Sequence, residues 1–188
     1  MPVIQFSRPP LGIEVLLLAA VLIAAFTDMR WRRIPNWLTV TVLALGFVLN
    51  AINTYPTPLE GVWLAAKGLA LAFSLNLLMY ALRMTGAGDV KLMAAIGALV
   101  GCSNFLGIFL LNAIVGGVLG LILVCVKGRA RQTFWNVGYM ASEMMKWRAP
   151  YLTRQQLDVN SPEALTLPRA VPICLAVIVF LACFLAYS

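Results

Sequence analysis

The sequence contains no histidine. Its four cysteines, Cys102, Cys125, Cys174 and Cys183, lie in or beside apolar stretches and form no CxxC pair. A zinc site draws its ligands from cysteine, histidine and carboxylate, so this chain has almost none to offer. Cysteines so placed read as small apolar packing residues and point to no redox compartment. No metal and no cofactor is expected. Charge is also scarce: 11% of the 188 residues are charged and 62% are hydrophobic, where a soluble domain carries about 25% charged residues. That excludes a water-soluble globular domain and points to an all-α, polytopic membrane protein. Acids are the scarcer charge, with seven Asp and Glu against fourteen Lys and Arg. The basic excess does not call for nucleic acid as a partner. Twelve of the fourteen basic residues stand in three connectors between apolar runs, at 30–33, 83–91 and 127–169, where such residues set membrane orientation.

What the chain does have is a series of apolar runs. The first, 11–27, is interrupted only by Glu14 and is followed by Asp28-Met29-Arg30-Trp31-Arg32-Arg33. A cleavable signal has its positive charge before the apolar run and small residues after it, so this reads as a retained span. Ile34-Pro35-Asn36 restarts the chain, since proline suits the beginning of a helix, and 37–52 is the second span. A turn-rich connector at 53–58 leads to a third span, 59–82, containing Lys67 and Asn76. Lys67 can snorkel towards the near surface, and Asn76 is expected to bond a neighbouring helix, a contact of about 1 kcal/mol. The segment 90–101 is short against the roughly 20 residues of a normal span. The basic connectors on either side of the 90–126 region belong on one membrane face, so the 90–103 segment either crosses or forms a re-entrant hairpin with the next run, and crossing is the expectation. A connector at 102–104 and a fifth run at 105–126 follow. Residues 127–170 form a long basic loop. Within it, Phe134, Trp135, Val137, Met140, Ala141, Met144 and Met145 recur at roughly helical spacing, as in an amphipathic helix on the membrane surface. The last span is 171–187. The expectation is a six-transmembrane-helix bundle, one membrane-embedded domain over 1–188, with both termini outside and lipid around it. Gly97 with Gly101, and Gly116 with Gly120, stand four apart and are expected at close helix contacts.

Of the seven acids, Glu14 and Glu60 fall at outer span ends, and Glu143, Asp158 and Glu163 in the long loop. Only Asp28 and Asp89 fall at inner span ends, on one membrane face. Ionisable groups at membrane depth are costly and are kept mainly where they act. Two crowded carboxylates share a proton, so one can take a proton from water while the other polarises a scissile carbonyl. Gly86 and Gly88, in Gly86-Ala87-Gly88-Asp89-Val90-Lys91-Leu92, let backbone approach the acid closely and adopt angles closed to other residues. Lys91 and Asn36 are candidates for orienting the acids or touching substrate. Three other readings stand beside this one. Each aspartate caps a helix or pairs with an arginine such as Arg32; the acids relay protons in a small proton-coupled transporter; or the chain is a non-catalytic scaffold for pilus or secretion assembly.

Asp28, followed by Arg33-Ile34-Pro35-Asn36 and then by Gly86-Ala87-Gly88-Asp89-Val90-Lys91-Leu92, resembles the type IV prepilin peptidases, membrane aspartic proteases of the GxGD type. The resemblance implies that Asp28 and Asp89 are the catalytic pair. It also implies pilin or pseudopilin precursors as substrates, cut at the cytoplasmic face of the bacterial inner membrane. Fuller members carry a cysteine-containing insertion near the N-terminus and methylate the new amino end. Here ten residues precede the first span and no CxxC is found, as in the peptidase-only branch of Tad/Flp-type pilus systems, and no methyltransferase activity is expected. The approach to the last span, Leu167-Pro168-Arg169-Ala170-Val171-Pro172, departs from the Pro-Tyr-Gly-like stretch of the family.

Overall fold

The computed structural model describes Phe6, residues 8–82, residues 85–126 and residues 170–187. The described residues form helices joined by short connectors: α1 (Leu11–Trp31), α2 (Asn36–Asn53), α3 (Pro58–Ala81), α4 (Ala87–Val126) and α5 (Ala170–Tyr187). The first four are long and apolar enough to cross a membrane, and α5 carries a shorter apolar stretch, Ala170–Phe184. The chain is a helical membrane protein. The expected surface helix of the 127–170 loop lies outside the described residues.

The helix ends follow from local chemistry. Pro10 supplies the carbonyl that accepts the first N–H groups of α1, from Ile13 at 2.8 Å and Glu14 at 3.0 Å. At its far end Arg32 turns left-handed, φ 51°, and its N–H closes on the Asp28 carbonyl at 2.9 Å, the usual way to satisfy orphan carbonyls. Pro35, in extended backbone, then opens α2. Pro58 takes the first position of α3, where its missing N–H costs nothing, and the Thr57 hydroxyl donates to the Glu60 carboxylate at 3.0 Å.

The main surprise is α4. By its backbone it is one run of 40 residues, broken only at Gly101, whose φ of 76° and ψ of 175° are not helical. Packing divides it into two antiparallel limbs. The first limb, 87–100, runs away from Asp89 along α3, with Gly97 against Gly68 and Ala72 and then Gly101 against Leu64. The second limb returns along α5, with Gly107 against Phe180 and Gly116 against Pro172. Phe180 in turn meets Phe6, ahead of α1, and α5 begins beside Asp28. The first limb therefore runs from the Asp89 end of the bundle to the end where α3 begins. Its connector, however, is the single residue Gly101 instead of a loop at 102–104, because a left-handed glycine reverses the chain without one.

The first limb is the centre of the core. Leu92, Met93, Ile96 and Leu99 are fully buried, together with Leu17 of α1 and Phe105 of the second limb. Leu22, Phe26, Val40, Val48, Phe73 and Leu77 point outward, as suits helices facing lipid. Where α3 crosses the first limb the backbones touch: a methyl at Gly68 would overlap the Gly97 carbonyl, and one at Gly97 would overlap Ala72. The glycine spacing thus identified a close contact at Gly97. It did not at Gly116 and Gly120, where a methyl meets Pro172 at an ordinary 3.8 Å or nothing within 4 Å.

Asn76 also departs from expectation. Its amide donates to Ala72 of its own helix at 2.8 Å, and no bond to another helix is seen among the described residues. The interhelical role belongs to buried Asn50 of α2, whose Nδ2 lies 3.1 Å from the Ala98 carbonyl and 3.0 Å from that of Leu99. The reversal at Gly101 strips carbonyls at the end of the first limb of helical partners, and in an apolar interior each must find another. Asn50 supplies it.

Candidate active site

Asp28 lies in the last turn of α1, which continues one turn beyond the apolar run, to Trp31. Asp89 lies in the first turn of α4, which starts at Ala87. Both side chains are nearly buried, at 9% and 8% exposure. The connectors between α1 and α2 and between α3 and α4 lie at the same end of the bundle. Two contacts establish this: the side chain of Ile34 packs over Gly88, and the ammonium of Lys91 donates to Oδ1 of Asn36 at 3.1 Å. The two aspartates therefore share one end of the molecule, with the 34–36 segment packed on the start of α4.

Each carboxylate is held by a backbone N–H. Oδ2 of Asp28 accepts from Ala170, the first residue of α5, at 3.0 Å. Oδ2 of Asp89 accepts from Gly86 at 3.1 Å, while the Asp89 N–H returns to the Gly86 carbonyl at 3.1 Å. That reciprocal pair is the acidic half of a capping box, with Gly86 at the N-cap and Asp89 three residues on. The cap reading of Asp89 is thus a geometric fact. It also fixes the carboxylate at a helix N-terminus, where negative charge is favoured.

The glycines divide their work differently from what was expected. Gly86 is the cap whose N–H holds Asp89. Gly88 is helical, and a methyl there would meet Ile34 at 3.6 Å, an ordinary contact; its bareness leaves space beside the acid and no unusual backbone angle is needed. Lys91 and Asn36, singled out separately in the sequence, turn out to be partners. Two features went unnoticed. The hydroxyl of Thr85 is buried with no hydrogen-bond partner among the described residues, one residue before the cap; a threonine next to a catalytic-type motif was the only available signal. The Ala170 N–H is a backbone group, which no residue type announces.

Two nearly buried carboxylates from different helices, at one end of an apolar bundle, are suited to acid–base chemistry on a group brought to the membrane rim. The comparisons point the same way. The profile of the type IV leader peptidase family matches residues 15–121, a stretch containing Asp28, Asn36, Gly86, Gly88, Asp89 and Lys91. The chain is 34% identical over 126 residues to a prepilin leader peptidase/N-methyltransferase of Xanthomonas campestris pv. campestris, covering 65% of this chain and 44% of that protein. It is 35% identical over 112 residues to one from Legionella pneumophila, covering 57% and 39%, and 31% identical over 119 residues to one from Aeromonas salmonicida, covering 61% and 41%. The chain spans less than half the length of these curated relatives. No solved structure matches it.

Proposed function

The chain belongs to the type IV leader peptidase family, and from that premise we propose that it is a membrane aspartic endopeptidase that removes the leader of type IV pilin precursors, with Asp28 and Asp89 as its catalytic pair. One carboxylate, unprotonated, draws a proton from water. The other, protonated, donates to the carbonyl of the scissile bond, the division of labour by which a pair of carboxylates hydrolyses a peptide bond without a metal. The observation that carries this reading is the convergence of two nearly buried aspartates, from α1 and α4, on one end of the bundle. Lys91 and Asn36 act as positioning residues that lock the start of α4 to the start of α2.

Charge and packing support a finer reading. The limbs of α4 count as two spans, giving six with both termini outside, and the aspartate end faces the cytoplasm because the basic connectors lie there. The protein then sits in the bacterial inner membrane, and its substrates are pilins of the Tad/Flp type. Co-expression with a Flp-type pilin precursor, read by N-terminal sequencing of the product, tests this. Asp28→Asn and Asp89→Asn should each abolish processing while the protein still inserts. Mature pilin made by either variant would overturn the assignment.

A further inference from the structure

A groove lies at the opposite end of the bundle. The chain reversal at Gly101 holds the limbs of α4 beside the start of α3 and leaves a groove of about 690 Å³, within the size range of ligand sites. One wall is a stripe of α3 residues, Glu60, Trp63, Leu64 and Lys67; the other is the backbone and side chains around Gly101 and Ser103. Glu60 and Lys67 are seven residues apart, so they face nearly the same way and are about 10.5 Å apart along the axis. Glu60 stands in the first turn of α3, at the rim, with Thr57 on one carboxylate oxygen. Lys67 stands two turns deeper, exposed, and no carboxylate pairs with it among the described residues. Trp63, 59% exposed, lies between them, as aromatic residues do at the membrane–water boundary.

An acid at the rim with a base beneath it is the reverse image of one class of lipid. In a phosphoethanolamine headgroup the primary ammonium lies outward and the phosphate lies deeper, next to the glycerol. We propose that this groove binds a membrane phosphatidylethanolamine, with its ammonium donating to Glu60, its phosphate on Lys67, and its glycerol and upper chain against Leu64 and Trp63. The charge order discriminates among lipids. Phosphatidylglycerol has no cation for Glu60 and places its negative charge beside it. Phosphatidylcholine has a quaternary ammonium without N–H donors.

The test is native mass spectrometry of the purified full chain after exposure to an equimolar mixture of these three lipids with identical acyl chains. Wild type should retain phosphatidylethanolamine about fivefold over either competitor, the worth of one charge contact at a membrane surface. Glu60→Gln should remove the preference over phosphatidylcholine, and Lys67→Met should reduce retention of all three. Both positions are exposed. Lys67→Arg should restore binding, which separates loss of charge from loss of fold. Equal retention of the three lipids by wild type would overturn the inference, as would selectivity unchanged in both Glu60→Gln and Lys67→Met.

Discussion

The carboxylate of Asp28 accepts the backbone N–H of Ala170 at 3.0 Å, joining the last turn of α1 to the first residue of α5 across 142 positions of sequence. A backbone donor can be removed cleanly here, because residue 170 opens a helix and proline is accepted at that place. Ala170→Pro should leave the fold intact and slow precursor cleavage several-fold in a detergent assay. Ala170→Gly, which keeps the N–H, should stay near wild type. Equal rates for both variants would mean that this hydrogen bond does not position Asp28.

Asp89 has two duties, a cap and a proposed acid, and a pair of variants separates them. Asp89→Asn keeps an oxygen to accept the Gly86 N–H, whereas Asp89→Ala loses it. Thermal unfolding in detergent should show Asp89→Ala less stable than Asp89→Asn by about 1 kcal/mol, the usual worth of a cap. Both should be inactive. Cleavage by Asp89→Asn would reduce this residue to its structural duty.

The Lys91–Asn36 contact joins two helix starts 55 residues apart. Lys91→Met and Asn36→Ala should each slow cleavage several-fold. The double variant should be no slower than the worse single one, since partners in a single contact are not additive. Additive losses would show that the two residues act separately.

Asn50 satisfies carbonyls exposed by the break in α4. Asn50→Leu keeps the volume and removes the donor, so unfolding in detergent should show a loss of about 1–3 kcal/mol, the cost of an unsatisfied buried polar group. Asn76, bonded within its own helix among the described residues, should tolerate Asn76→Leu far better.

The tight crossing of α3 over the first limb gives a steric prediction. Gly68→Ala inserts a methyl into the Gly97 carbonyl and should cost about 1–3 kcal/mol, as overpacking does. Gly120→Ala, with open space around it, should stay within about 0.5 kcal/mol of wild type. Midpoints of thermal unfolding distinguish the two.

Much of the site end was legible because charge is. Lysine and arginine placement alone put Asp28 and Asp89 on one face, and the Pro35 and Pro58 starts of α2 and α3 follow from proline chemistry. The helix of the 127–170 loop remains an expectation from spacing alone. What could not be read depends on which backbones meet. The reversal at Gly101 looks in sequence like any small-residue stretch. Asn50 and Asn76 are chemically alike, and only the position of the stripped carbonyls decides which one bridges helices. The Ala170 donor has no side-chain signature at all.

Gly101 has one more consequence. With its turn, the molecule becomes two leaves: α2, α3 and the first limb of α4 form one, while α1, α5 and the second limb form the other. Asp89 is carried by the former and Asp28 by the latter. The chain passes between them through Arg32 and through Gly101, the two residues with positive φ among those described, one at each end of the bundle. A line through these two points marks the seam between the leaves, so each acid is anchored in a different leaf and the buried side chains that the leaves share, Leu17 on one side and Leu92 and Ile96 on the other, are what hold the two acids in register.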